Sequence, residues 1–217
     1  MSLEKTMINF DYTPVRNPVR KKKGTYCGYF PSTKMNRMIG YESTLELDAI
    51  CLFEADPLVQ AYCEQPKQVT YTRHQRSHTN TVDFVTLRDG VEEFFEVKPF
   101  QRFENKETEA TYEAIAEVYR EQRLIYKLFT EFEIRQEPLL PNSKELLRYV
   151  RVPVTEDHKV IARDYLAPGH EVTIKVLSSY LPMPIVYALI WAGYLIIDHS
   201  KKLTPASFVS LSTAVEG

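Results

Sequence analysis

The sequence predicts an α/β fold in which helices flank a mixed β-sheet and a small unit of short helices and strands follows. The dipeptide Asp89-Gly90 separates two apolar runs, which is a strong signal for a β-hairpin with a two-residue turn. Apolar residues at helical spacing precede this hairpin at 41–54 and follow it at 105–123. A further strand is expected at 124–129, which completes the alternation of strands and helices.

The predicted turn fixes the register of the hairpin. With Asp89-Gly90 as the loop, counting back along both strands places Asp83 directly opposite Glu96. The other expected pairs are Arg88 with Val91, Thr86 with Glu93, and Val85 with Phe94. Side chains two apart on a strand share a face, so Lys98 projects on the same side as Glu96. Three ionisable groups therefore converge on one side of one hairpin.

This arrangement is typical of a metal-dependent nuclease site. Opposed carboxylates with Cβ atoms about 5 Å apart repel each other unless something offsets their charges, and a divalent cation does so. Mg²⁺ takes one or two carboxylates together with waters and phosphate oxygens, and Asp83 and Glu96 supply such carboxylates. Lys98 can orient the attacking water or stabilise developing negative charge. The alternative is an edge hairpin whose charged side chains face water.

A third acidic ligand is available on the helix predicted at 41–54. Glu46 lies beside the apolar stripe of this helix, where it can point into the same cleft as the hairpin carboxylates. Glu42 lies one turn away, and the residues alone do not choose between the two glutamates. The alternative is that both are solvated residues of the helix surface. The helix is expected to end at Asp56-Pro57, because a residue before proline disfavours the α region.

Several short strings follow one another in order along about residues 40–150. The first are Glu42-Ser43-Thr44-Leu45-Glu46, Phe53-Glu54-Ala55-Asp56-Pro57-Leu58-Val59, Glu64-Gln65-Pro66, Asp83-Phe84 and Glu96-Val97-Lys98-Pro99. Beyond the hairpin they are Phe129-Thr130-Glu131, Glu133-Ile134-Arg135, Pro138-Leu139-Leu140 and Leu146-Leu147-Arg148-Tyr149. Each string alone is weak. Their order and spacing together resemble the catalytic domain of TnsA-type transposon endonucleases.

The resemblance implies a restriction-endonuclease-like fold of the PD-(D/E)xK superfamily. Its active site combines a helix glutamate, a strand aspartate and a Glu-x-Lys on the next strand. The matching residues here are Glu46, Asp83, Glu96 and Lys98, all four expected to be catalytic and the first three expected to hold metal. The resemblance thereby selects Glu46 over Glu42.

Two positions depart from the family pattern. Val82 stands where the superfamily often has proline, which is harmless to the chemistry. Glu96 stands where some relatives have glutamine, which weakens the expectation that Glu96 is an essential metal ligand. Neighbouring backbone carbonyls or Val97 can share the metal shell instead.

The function that the resemblance implies is that of a Mg²⁺-dependent endodeoxyribonuclease, with Mn²⁺ as a substitute ion. Such a subunit cleaves double-stranded DNA at the 5′ ends of a mobile element, on the strands that are not joined to the target. An integrase-type, TnsB-like transposase would process the other strands, and a TnsC-like ATPase would regulate both. The alternatives are a stand-alone nuclease of restriction or repair type and a non-catalytic module that binds DNA or a transposase.

Charge is distributed unevenly along the chain. Residues 1–40 carry a local net charge of +6, which peaks at Arg20, Lys21, Lys22 and Lys23, whereas residues 41–98 carry −6. Prolines in the basic segment favour an extended arm that contacts DNA phosphates without sequence specificity. The alternative is a solvated, mobile terminus. Since the sequence pI is about 6.2, attraction to DNA must be local.

The C-terminal residues are predicted to form a separate unit. Short helices are expected at 156–166, 172–180 and 184–192, and strands at 194–198 and 207–210. Three helices and a hairpin wing make a winged helix, a kind of domain that TnsA-like proteins carry. Its balanced charge favours contacts with protein, with Lys201 and Lys202 as phosphate contacts.

A chain of 217 residues has room for two such domains. The expected division is a basic N-terminal arm at 1–40, a TnsA-like endonuclease domain at 41–150 and a winged-helix-like domain at 151–217. A helix around 143–149 is expected to close the endonuclease domain.

The remaining sequence features indicate a protein of the cytoplasm. No run approaches the roughly 18 apolar residues of a membrane span, and the N-terminal residues lack the apolar core of a signal peptide. Cys27, Cys51 and Cys63 have no CxxC spacing and are expected to be reduced thiols. His74 and His78 are expected at the surface, near DNA rather than as metal ligands.

Overall fold

The computed structural model describes residues 10–17, 26–166 and 169–212. From residue 28 to 129 its elements are β1 (Gly28–Ser32), β2 (Arg37–Tyr41), α1 (Thr44–Ala55), β3 (Val59–Glu64), β4 (Gln68–Arg73), β5 (Arg76–Thr81), β6 (Phe84–Arg88), β7 (Val91–Val97), a 3₁₀ turn (Phe100–Glu104), α2 (Lys106–Glu121) and β8 (Ile125–Phe129). They are followed by α3 (Glu131–Ile134), α4 (Leu139–Leu147), α5 (Glu156–Tyr165), β9 (Val172–Thr173), α6 (Ile174–Leu177), α7 (Met183–Trp191), β10 (Leu195–Ile196) and β11 (Phe208–Leu211).

The chain divides into two compact units. Of the described residues, the first contains 10–17, 26–53 and 58–132, and the second contains 54–57, 133–166 and 169–212. The helix and strand content of the first unit confirms the prediction of a mixed α/β fold.

A four-stranded sheet lies at the centre of the first unit, in the order β3-β6-β7-β8. The pairs β3–β6 and β6–β7 are antiparallel, and the pair β7–β8 is parallel. The register predicted for the β6–β7 hairpin is confirmed: its partners are Arg88 with Val91, Thr86 with Glu93, and Val85 with Phe94. The last paired residues are Phe84 and Phe95, so Asp83 and Glu96 occupy the next position along.

Aromatic and aliphatic side chains cover the two faces of this sheet. On one face Phe53 of α1 packs against Phe84 and Phe95, with ring centroids 5.6 and 5.3 Å apart. On the other face Val85 and Phe94 belong to a buried cluster with α2. Asp83, Glu96 and Lys98 gather beyond this apolar cover, where the hairpin strands end.

Two further hairpins of the first unit lie in segments where no strands are predicted. β1 pairs with β2, and β4 pairs with β5, each antiparallel and without a bulge. Residues 28–41 are therefore not part of an extended arm. Residues 10–17 also lie against the unit, since the Val15 amide donates to the Gln65 carbonyl at 2.9 Å and the rings of Tyr12 and Phe94 meet edge to face.

The second unit has its own hydrophobic core, built from α4 to α7 and the strands beside them. The predicted pairing of the last two strands is confirmed, since Leu195 pairs with Leu211. β9 pairs with the other edge of β11 and makes a three-stranded sheet. The helix predicted at 172–180 is shorter than expected: residues 172–173 are strand, and Thr173 then caps α6 by accepting from the Val176 amide.

Two further observations concern the cysteines and the helices of the described residues. All three cysteines are free thiols. No helix in the described ranges combines the length and the hydropathy that a membrane span requires.

Candidate active site

Asp83 lies at the point where β6 begins, and the backbone of β7 orients its carboxylate. The Val97 amide donates to Asp83 Oδ2 at 2.8 Å, across the end of the hairpin. The Asp83 carbonyl accepts from the Gln65 amide at 2.7 Å. Only 6% of Asp83 is exposed. Since both the backbone and the side chain are held, the carboxylate has a fixed direction.

Lys98 joins the two hairpin carboxylates. Its Nζ lies 2.7 Å from Asp83 Oδ2 and 2.8 Å from Glu96 Oε1, and it also donates to the Val97 carbonyl at 3.2 Å. The Lys98 amide donates to the Phe129 carbonyl, so the residue continues the pairing of β7 with β8. The convergence of Asp83, Glu96 and Lys98 that the register predicts is thus present in the structure.

Glu96 is more buried than Asp83, with 2% of the residue exposed. One of its oxygens accepts from Lys98, and the other accepts from the side-chain amide of Asn80 at 3.1 Å. Asn80 is not predicted from the sequence. Its strand, β5, has no buried side chain and no apolar alternation, so nothing in the sequence places it beside β7.

Glu46 lies in the first turn of α1 and has a structural role there. Its carboxylate accepts from the Glu42 amide at 2.8 Å and from the Ser43 hydroxyl at 3.1 Å, while Ser43 Oγ accepts from the Glu46 amide. This reciprocal pattern caps the helix. Glu46 is 7% exposed and close enough to Asp83 for the charge of Asp83 to act on it.

The electrostatics of the site follow from burial and crowding of negative charge. Burial and the charge of Asp83 raise the pKa of Glu46 and of Glu96, each to about 7. Burial by itself would lower the pKa of Lys98, but the charges and hydrogen bonds of Asp83 and Glu96 raise it above the ordinary value. Lys98 is therefore an ammonium group at neutral pH and is not available to accept a proton.

The donor chemistry of these residues suits Mg²⁺. Two buried carboxylates, those of Asp83 and Glu96, contact a single lysine, so the fully ionised group keeps a negative charge that a divalent cation would offset. No three acidic, histidine or cysteine side chains in the described ranges form a ready-made metal cage. Mg²⁺ does not require one, because it keeps several waters and usually takes one or two carboxylates with substrate phosphates. Asp83 and Glu96, with the Val97 carbonyl beside them, fit that requirement.

Glu42, Lys201 and Lys202 are the other predicted residues that the structure describes. Glu42 forms an ion pair with Arg16 at 3.0 Å. Arg20, Lys21, Lys22 and Lys23 lie outside the described residues. In the second unit, Lys201 forms an ion pair with Asp198 at 3.0 Å, and Lys202 is exposed.

Comparison with known families agrees with the resemblance noted in the sequence. The model of the family described as TnsA-like endonuclease N terminal matches residues 56–131. This range contains Asp83, Glu96, Lys98 and Asn80 but not Glu46. No curated protein matches the chain.

Proposed function

We propose, from the premise that residues 56–131 are a TnsA-like endonuclease N-terminal domain, that the chain is the DNA-cleaving subunit of a transposition system. It cuts at the 5′ ends of a mobile element, on the strands that are not joined to the target, and depends on Mg²⁺. A TnsB-like transposase and a TnsC-like ATPase act with it. The observation that carries this proposal is the contact of Lys98 with both Asp83 and Glu96 inside the matched range.

Each residue of the cluster has a distinct task in the proposed reaction. Asp83 and Glu96, with Glu46, would hold Mg²⁺. A bound Mg²⁺ supplies Lewis-acid activation of a phosphodiester and a more acidic water. Lys98 directs its ammonium group to the attacking water and stabilises negative charge that develops on the phosphate. The Val97 amide keeps Asp83 in one orientation throughout.

The proposal also assigns a fold class to each of the two units. We assign the sheet of the first unit, with a helix on either face, to the restriction-endonuclease-like class. The second unit, with α4–α7 and its three-stranded sheet, is assigned as winged-helix-like. The ion pair of Lys201 with Asp198 leaves less charge for phosphate there, which favours a protein contact for this unit.

The first test replaces Asp83 with asparagine. Asp83→Asn is expected to lower cleavage of a duplex that carries an element end by about 10²-fold or more, because metal binding and charge stabilisation are lost together. Cleavage is measured with strand-specific end labels, with the transposase subunit present. The matched control is Asp89→Asn, which removes a carboxylate from the exposed turn of the same hairpin and is expected to cut normally.

An Asp83→Asn protein that still cuts would exclude this site as the nuclease centre. Manganese soaked into crystals provides an independent readout, since its anomalous signal does not depend on activity. A peak between Asp83 and Glu96 is expected in the unmodified protein and is expected to be absent in Asp83→Asn. Labels on the two strands also separate cutting of the non-transferred strand from cutting of both strands.

A further inference from the structure

A polar segment without acidic residues lies between the two halves of the candidate active site in the sequence. All 18 residues from 65 to 82 lack carboxylates, and they include Lys67, Arg73 and Arg76 together with two histidines. The surrounding range 41–98 has a net charge of −6. This segment forms the β4–β5 hairpin, so positive charge is concentrated on one ribbon of an otherwise acidic region.

The register of this hairpin sorts its side chains onto two different faces. Residues directly opposite each other share a face. The basic face contains the pairs Val69 with Asn80, Tyr71 with His78, and Arg73 with Arg76. The hydroxyl face contains the pairs Gln68 with Thr81, Thr70 with Thr79, and Thr72 with Ser77. Five hydroxyl groups and one amide therefore follow one face of the ribbon, without a charged or apolar side chain among them.

The basic face leads directly to the candidate active site. Asn80, on this face, donates to Glu96 at 3.1 Å. Arg73, nearer the tip, is held by the Thr111 hydroxyl and by Glu107 of α2. A cavity of about 270 Å³ opens between this face and α2, and Asn80 and Arg73 both line it. The ribbon thus reaches from the catalytic carboxylates to an exposed tip.

The dimensions and chemistry of the hairpin match duplex DNA. Six paired residues at about 3.3 Å each give a ribbon about 20 Å long, which spans about six base pairs. A two-stranded ribbon fits the major groove. Arginine, threonine and serine side chains are common donors to phosphate oxygens. A polyanion brought to three carboxylates also needs nearby positive charge, and the hairpin supplies it.

We propose that the β4–β5 hairpin is a DNA-contacting ribbon that holds the duplex beside Asp83, Glu96 and Lys98, with Arg76 on a phosphate and the hydroxyl face on the groove. The proposal rests on the proposed nuclease function, and its residues are different from the basic segment at 20–23 and from Lys201 and Lys202.

Binding of a fluorescein-labelled duplex to the full chain tests the ribbon. Anisotropy is measured with Ca²⁺ in place of Mg²⁺, over about 50–200 mM salt. Arg76→Gln is expected to weaken binding about fivefold to tenfold and to reduce the slope of log affinity against log salt by about 1. Arg76→Lys, which keeps the charge, is expected to restore the slope. Thr72→Val on the hydroxyl face is expected to weaken binding without changing the slope.

The matched control is Arg123→Gln. Arg123 is exposed just beyond the C-terminal end of α2. The hairpin tip lies near the other end of this helix, where Arg73 is held by its first turns. An Arg76→Gln protein whose affinity and salt slope equal those of Arg123→Gln would overturn the proposal, as would an unmodified chain without salt-dependent binding. The proposed function has a separate readout. If the hairpin variants bind DNA normally and cutting still requires Asp83, the proposed role of the ribbon is wrong and the proposed nuclease function stands.

Discussion

Glu96 is a buried carboxylate whose ionisation reduces the stability of the protein. Its pKa is raised from 4.5 to about 7 by burial and by the charge of Asp83. Between these two values the native state keeps a proton that the unfolded chain releases. Unfolding therefore releases protons in this window, and the contribution of Glu96 to stability is lost as the pH rises from about 4.5 to about 7.

The residue-scale prediction is that Glu96→Gln stabilises the metal-free protein above pH 7. We expect the free energy of unfolding at pH 8 to rise by about 1–3 kcal/mol, because a neutral amide has no charge to bury. At pH 4.5 the variant and the unmodified protein should be nearly equal. Urea unfolding in EDTA at both pH values measures this. A variant that is less stable at pH 8 would show that Lys98 compensates fully for the buried charge.

The neighbours of Lys98 also determine its charge. Because its pKa is raised by Asp83 and Glu96, it stays charged across the range in which Glu46 and Glu96 titrate. In the proposed reaction, any proton that leaves the attacking water near neutral pH therefore moves to a carboxylate or to solvent rather than to this lysine.

At the scale of elements, the β6–β7 turn is the structural feature on which the register depends. Asp89 and Gly90 have φ values of +48° and +77°, as a two-residue turn with both central residues in the left-handed region requires. The Asp89 amide donates to the Leu58 carbonyl, and the Gly90 amide donates to Gln60 Oε1. The turn is therefore tied to β3 as well as to its own strands.

Gly90→Ala is expected to destabilise the protein by about 1 kcal/mol. A Cβ at this position would meet no atom within 4 Å, so the cost comes from the backbone conformation alone. Urea unfolding is the measurement, and Asp89→Asn is the control, since asparagine tolerates the left-handed region and should leave stability within about 0.5 kcal/mol of the original. Equal stability of Gly90→Ala and the unmodified protein would mean that the turn relaxes to another type.

Sequence reasoning finds the elements whose turn residues and apolar pattern indicate the same structure. Asp89-Gly90 and the apolar runs beside it specify one hairpin, and with it the positions of Asp83, Glu96 and Lys98. The β4–β5 hairpin has a turn with the same left-handed conformation, but His74 and Gln75 occupy it at φ values of +49° and +57°. These residue types carry no turn signal.

The part of the site that sequence reasoning misses depends on this second hairpin. β5 has no buried residue and shows no alternation. In β4 the burial alternates along its six residues, but Val69 is the only buried one. Asn80 consequently has no predicted partner, although its amide is the group that holds the second oxygen of Glu96. A polar, exposed strand such as β5 leaves no periodic pattern in the sequence.

At the scale of the whole molecule, α4 belongs to the second compact unit. Asn142 on this helix is 2% exposed, and its amide donates to the Lys201 carbonyl while its oxygen accepts from the Leu203 amide, both at 2.8 Å. The predicted endonuclease domain extends to residue 150 and so includes α4. The contacts of Asn142 instead join α4 to the loop between β10 and β11. A boundary near residue 133 keeps the hydrogen bonds of Asn142 within one unit.

Asn142→Ala tests the extent of the second unit. Loss of both hydrogen bonds leaves a buried amide and a buried carbonyl without partners, so we expect local destabilisation by about 1–3 kcal/mol. Hydrogen exchange measured by mass spectrometry should accelerate in 139–147 and 195–211 but not in 84–97. The control is Asn80→Ala, which removes a side-chain amide from the first unit. Accelerated exchange confined to 84–97 in Asn142→Ala would contradict this boundary.

The β6–β7 hairpin has arms of equal length, with five residues between Asp83 and the turn and five between the turn and Glu96. Deleting one residue from a single arm would send its carboxylate to the opposite face of the sheet, because successive side chains alternate. Lengthening the loop itself leaves both arms intact. The tip at Asp89 and Gly90 is consequently a natural insertion point for an epitope tag or a fluorescent reporter, about five residues away from the carboxylates along either strand.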